Sequence, residues 1–142
     1  MANKKAKGKT PLYSEPEEMQ KAVDAYFDDC AGKWLVDQNG RYAVDTNGRP
    51  IRVNMRPPTI TGLALALGFS TRKSLLDYQR KPKFRDTVTI AKTRVEQYVE
   101  ESLFNPDSLT GAKFCLLCCF GWAQDVPEAS SGNIVPVKIV NV

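Results

Sequence analysis

Histidine is absent from this chain of 142 residues. Without an imidazole, the usual general base near neutral pH is missing, and so are Ser–His and Cys–His nucleophile pairs. The sequence also lacks a Gly-x-Ser-x-Gly elbow and a glycine-rich phosphate loop. Asp28 and Asp29 are adjacent, so on a helix they diverge by about 100° instead of forming a carboxylate pair. These absences exclude the common catalytic arrangements, and neither an enzyme nor a cofactor is expected. Long apolar runs are missing as well: none approaches the roughly 18 residues of a membrane span. The basic N-terminus is not followed by the apolar stretch of a secretory signal. No membrane partner is therefore expected.

Cysteine is scarce, and three of the four crowd together as Cys115, Cys118 and Cys119. That spacing does not suit a disulfide framework and points to reduced thiols in a cytoplasmic setting. Zinc takes about four ligands, and Cys30 is the only other thiol. No metal site is expected, and the three cysteines read as small apolar residues on one buried helix face. No internal repeat is evident.

What the chain does have is segregated charge. Residues 1–13 carry four lysines and no acid, while residues 14–40 carry seven acids against two lysines. Residues 57–94 hold eight Lys or Arg against Asp77 and Asp86, and residues 95–142 are acidic again. A basic block on a folded module is the footprint of a polyanionic partner. A solvated charged face is the alternative.

Apolar residues make up 42% of the chain, enough for a real core, and their spacing predicts a mainly α fold. Residues 1–13 read as a flexible basic arm. Ser14 and Glu17 form a capping-box signature. Met19, Val23, Tyr26, Phe27 and Cys30 then recur at helical spacing over residues 15–31. Residues 34–56 look like a small β-hairpin insertion. Two β-prone runs, 34–36 and 42–44, precede an Asn47-Gly48 turn signal, and residues 51–53 close the hairpin. Arg41, Arg49, Arg52 and Arg56 would make it either a DNA-touching wing or merely a soluble hairpin.

After Pro57 and Pro58, residues 59–67 form a short helix with Ile60, Leu63, Ala64 and Leu67 on one stripe. Gly68 breaks it, and residues 71–79 form another. This is the pattern of a helix-turn-helix: a small residue inside the first helix (Ala64), a tight glycine turn, and apolar anchors (Leu63, Leu67, Leu75, Tyr78). Such a unit offers the start of its second helix to the major groove, here Thr71, Arg72, Lys73 and Ser74. Arg80, Lys81, Lys83 and Arg85 follow and suit phosphate contacts, as do Lys4, Lys5, Lys7 and Lys9 of the arm. A helix-turn-helix used only for protein packing is the alternative.

Residues 82–104 read as the longest helix, and Ser108 is placed to cap a last one over 109–120. Phe84, Val88, Ala91, Val95 and Tyr98 step by four and three, as in a coiled-coil seam. The seam would hold other subunits or pack on the chain's own helices. Residues 123–132 read as a linker and 134–142 as a β-prone strand. That strand is unpaired in isolation, with Val137 and Ile139 as candidate assembly contacts. The expected organisation is thus an arm (1–13), a helix-turn-helix domain (14–81) with its β-insertion (34–56), a helical oligomerisation region (82–122), and a linker with a terminal strand (123–142).

Two runs carry a family resemblance: residues 58–70 (PTITGLALALGFS) with the basic stretch to Arg85, and residues 111–122 (GAKFCLLCCFGW). Together they resemble the small terminase subunits of tailed phages, whose last helix often ends in a similar pattern of Phe114, Leu116, Phe120, Gly121 and Trp122. The resemblance implies a ring-shaped homo-oligomer in the cytoplasm of the infected bacterium. It implies binding to the packaging-initiation region of double-stranded viral DNA and recruitment of the large ATPase-nuclease subunit. It also implies a C-terminal strand shared in a β-barrel. A dimeric helix-turn-helix transcription regulator and a purely structural oligomerisation protein are the competing readings.

Overall fold

A computed structural model describes residues 11–125. The lysines of the arm and the strand at 134–142, with Val137 and Ile139, lie outside the described residues. The architecture is mainly helical. Helix α1 (Pro16–Cys30) leads into strands β1 (Lys33–Trp34) and β2 (Arg52–Val53), and α2 (Ile60–Ala66), α3 (Arg72–Tyr78) and α4 (Arg85–Glu101) follow. A 3-10 turn (Ser102–Phe104), α5 (Leu109–Cys119) and a second 3-10 turn (Trp122–Asp125) complete it. Two compact units divide at Tyr98 and Val99, within the last turn of α4.

In the first unit, α1 does not begin with the expected capping box. Glu15 holds the cap position, with φ −124° and ψ 141°, and no side chain caps the helix. The reason is Pro16 at the first turn. A residue preceding proline is driven into extended backbone, and proline itself suits the helix start. Met19, Val23, Tyr26 and Cys30 are buried along one face of α1, as the spacing predicts. Gly32, at φ 79°, ends the helix, its amide bonding back to the Asp29 carbonyl at 3.1 Å.

The core of this unit joins that face to Ile60, Leu63 and Ala64 of α2, Leu75 and Tyr78 of α3, and Phe84, Val88, Ala91 and Val95 at α4. Phe84, Val88 and Val95 are only 4%, 1% and 2% exposed, so the seam is already occupied within the chain, while Tyr98 remains 41% exposed. The long helix is shorter than its periodicity suggests. Pro82 stays in a turn closed by the Phe84 amide on the Lys81 carbonyl, and the last turn tightens to 3-10 at Ser102.

The segment after α1 is not a simple hairpin. The chain at 33–53 makes three short ribbons that meet in a cycle of three backbone hydrogen bonds: Leu35 N–H to Ile51, Ala43 N–H to Leu35, and Ile51 N–H to Ala43, at 2.9, 2.8 and 3.0 Å. One ribbon is the β1–β2 pair, in register Lys33 with Val53 and Trp34 with Arg52. The others are closed by the bridges Val36–Tyr42 and Val44–Pro50. Each of those two ends in the same turn. The Asp37 and Asp45 amides bond to the Arg41 and Arg49 carbonyls, both at 2.8 Å. Gly40 and Gly48 take φ 74° and 75°.

A repeat is therefore present, contrary to expectation. Its period is eight residues: Gly32, Gly40 and Gly48 each precede a cation (Lys33, Arg41, Arg49), and Asp37-x-Asn39-Gly40 recurs as Asp45-x-Asn47-Gly48. The third copy stops at Val53, which hides the pattern in a chain read only for hydrophobic spacing.

In the second unit, Ala112 and Leu116 of α5 are buried, while Leu109, Phe114 and Leu117 on the same helix are exposed. Ser108 occupies the cap position without capping. Its hydroxyl donates to the Ser102 and Asn105 carbonyls, at 2.8 and 3.4 Å. The cysteines are not a buried face. Cys118 and Cys119 are exposed and Cys115 is half-buried, whereas Cys30, in the first unit, is buried. The helix is apolar nearly all round, so a face apolar in sequence need not be covered within one chain.

Candidate nucleic-acid interface

The α2–turn–α3 segment is built from local rules. Thr59 caps α2 by accepting from the Gly62 amide at 2.9 Å, and Thr71 caps α3 by accepting from the Ser74 amide at 3.2 Å. Between them, Gly68 at φ 89° closes a Schellman turn: its amide reaches the Leu65 carbonyl at 3.0 Å, and the Phe69 amide reaches Ala64 at 2.9 Å. Ala64 is fully buried, as a small residue at this crossing should be. Sequence reasoning missed a second requirement, at Gly62. A Cβ there would stand 2.6 Å from the Tyr26 hydroxyl. That hydroxyl accepts from the Thr59 amide at 2.8 Å and donates to the Thr59 carbonyl at 3.2 Å, tying α1 to the start of α2. Burial pushes the Tyr26 phenol above its ordinary pKa, with Cys30 adding to the rise and the bonds to Thr59 opposing it.

Residues 11–13, expected in the flexible arm, are docked against this segment. The Leu12 and Tyr13 amides both donate to the Tyr78 hydroxyl, at 3.0 and 3.2 Å, and the Tyr13 hydroxyl donates to the Leu67 carbonyl at 2.7 Å. The Tyr13 ring meets Phe69 at 6.1 Å and Tyr78 at 6.4 Å. Burial raises the Tyr13 pKa, and the neighbouring Tyr78 and Glu18 raise it further.

The predicted site residues now separate by environment. Thr71 and Ser74 engage each other at the start of α3, their hydroxyls 2.9 Å apart. Arg72 is half-buried beside Lys73, which is exposed. Arg80 and Arg85 are exposed at either side of the turn into α4. Lys81 lies 3.9 Å over the Tyr78 ring, and Lys83 is ion-paired to Glu15 at 2.8 Å. Of the cations on or just past the β module, Arg52 stacks on Trp34 at 4.1 Å and donates to the Ala31 carbonyl, and Arg56 is paired with Asp29. Arg41 and Arg49 are exposed. Among the described residues, no group of three or more metal-ligating side chains could hold an ion, and no helix is long and apolar enough to cross a membrane.

The sequence model of one protein family, described as DNA-packaging protein gp3, matches residues 8–126, most of the chain. The chain belongs to the DNA-packaging protein gp3 family. Its role accordingly lies in phage DNA packaging, in company with DNA and the packaging machinery. The gp3 match takes in the strap at 11–13, the β module, α2–α3 and α5. No curated protein and no solved structure matches the chain.

Proposed function

We propose that this gp3-family chain is the small terminase subunit of its phage, a DNA-recognition and adaptor subunit that carries out no reaction itself. In this reading α2–turn–α3 is a helix-turn-helix, and the first turn of α3 enters the major groove of double-stranded viral DNA at the packaging-initiation region. The observation that carries the reading is the basic start of α3, Arg72 and Lys73, set after a left-handed glycine turn in a chain of a DNA-packaging family. Arg80 and Arg85, with the arm lysines 4, 5, 7 and 9, add phosphate contacts.

The apolar surface of the second unit supports assembly into a ring. Phe104 and Phe114 are 86% and 68% exposed, with Leu109, Leu117 and Trp122 also open, and exposed apolar patches of this kind mark protein interfaces. Because the α4 seam is filled internally, α5 and Tyr98 are better placed than Phe84, Val88 or Val95 to meet a neighbouring copy. The tail at 134–142, through Val137 and Ile139, would complete the assembly, and the ring would recruit the large ATPase-nuclease subunit in the host cytoplasm.

The test is a titration of duplex DNA with the intact chain and with Arg72→Ala/Lys73→Ala. Lys73 is exposed and Arg72 half-buried, so circular dichroism of the double variant checks that it folds before the affinities are compared. Its affinity should fall at least tenfold, since a lost base or phosphate contact costs about 1–3 kcal/mol. Unchanged affinity would show that α3 is not the recognition helix.

A further inference from the structure

The eight-residue repeat carries a second binding surface. Its three ribbons place Lys33, Arg41 and Arg49 at equivalent positions, each directly after a left-handed glycine. All three are exposed, and among the described residues none has an ion-pair or hydrogen-bond partner for its side chain. The module's own carboxylates form no ion pair with them. Asp37 Oδ1 accepts from the Asn39 and Arg41 amides at 2.8 and 2.9 Å, and Asp45 Oδ1 accepts from Asn47 and Arg49 at the same distances. Each aspartate thus fixes the turn that carries its arginine. Side chains alternate along a strand, so the cations fall on the opposite side of the ribbons from Trp34 and Tyr42, whose rings meet at 6.0 Å. Arg52 and Arg56 are occupied inside the fold, as described above.

We propose that this module is a second DNA contact, in which Lys33, Arg41 and Arg49 neutralise backbone phosphates of duplex DNA. Exposed cations repeated at matched positions suit a repeating anion and call for no base reading, so the contact is independent of sequence. The proposal rests on the DNA-recognition reading above and extends it beyond α3.

The experiment measures duplex affinity of the intact chain across a salt series. The slope of log K against log salt reflects about 0.9 per phosphate neutralised. Replacing all three cations (Lys33→Gln/Arg41→Gln/Arg49→Gln) should make the slope shallower by about two to three. The charge-keeping variant Lys33→Arg/Arg41→Lys/Arg49→Lys should retain the parent slope. Circular dichroism checks that each variant folds. If the parent binds DNA but the glutamine variant keeps its slope, this inference falls while recognition by α3 stands. If the charge-keeping variant loses slope equally, a phosphate contact by charge is also overturned. If the parent binds no duplex DNA, both readings fall together.

Discussion

At the residue scale, the phenol of Tyr78 does more than fill the core. It is 7% exposed, packs edge-on to Phe69 and Phe84 at 5.1 Å each, and accepts two amides from the strap at 11–13. Tyr78→Phe keeps the packing and removes the acceptor, leaving the Leu12 and Tyr13 amides unmet. Stability should drop by about 1 kcal/mol, the ordinary cost of a lost, partly buried hydrogen bond. Urea unfolding checks this, and an unchanged midpoint would show that the two bonds to the Tyr78 hydroxyl contribute nothing. Such contacts are not legible in sequence: Tyr78 is separated by 66 residues from Leu12, and no local pattern announces a pairing at that distance. The apolar anchors were legible, because Leu63, Leu67, Leu75 and Tyr78 sit at helical spacing and all are buried. The cysteines misled for the converse reason: helical spacing reports which residues share a face, and not whether anything covers it.

At the element scale, the turn between α2 and α3 depends on one backbone conformation. Gly68 sits at φ 89°, and a Cβ there would also meet Leu12 Cδ2 at 3.3 Å. Left-handed backbone costs a non-glycine residue about 1–2 kcal/mol, so Gly68→Ala should lower stability by that amount. Thermal melting reads the loss directly; a neutral substitution would mean that the turn relaxes without cost. This turn was visible in the sequence because a glycine between two apolar stripes has few other uses. The start of α1 was not, because two signals compete there. A capping box at Ser14 and a proline at 16 ask for different first residues, and the steric demand of proline prevails. The β module was only half legible. Its turn residues stood out, but three ribbons closing on one another look like a hairpin when the first Asn-Gly pair, Asn39-Gly40, is passed over.

At the scale of the whole molecule, folding leaves one cationic and one apolar set of groups exposed among the described residues. The cationic set lies on α3, on the turn into α4 and on the β module. The other is apolar, made by α5 and its flanking turns, where Phe104, Phe114 and Trp122 remain exposed. Exposed apolar patches mark interaction sites, and we assign this one to further copies of the same chain. The native mass of the intact chain in the presence of duplex DNA tests assembly and DNA binding together. One closed assembly is expected, a multiple of 15.8 kDa well above two chains, carrying DNA. A monomer or dimer, or an assembly that leaves the duplex unbound, would contradict it.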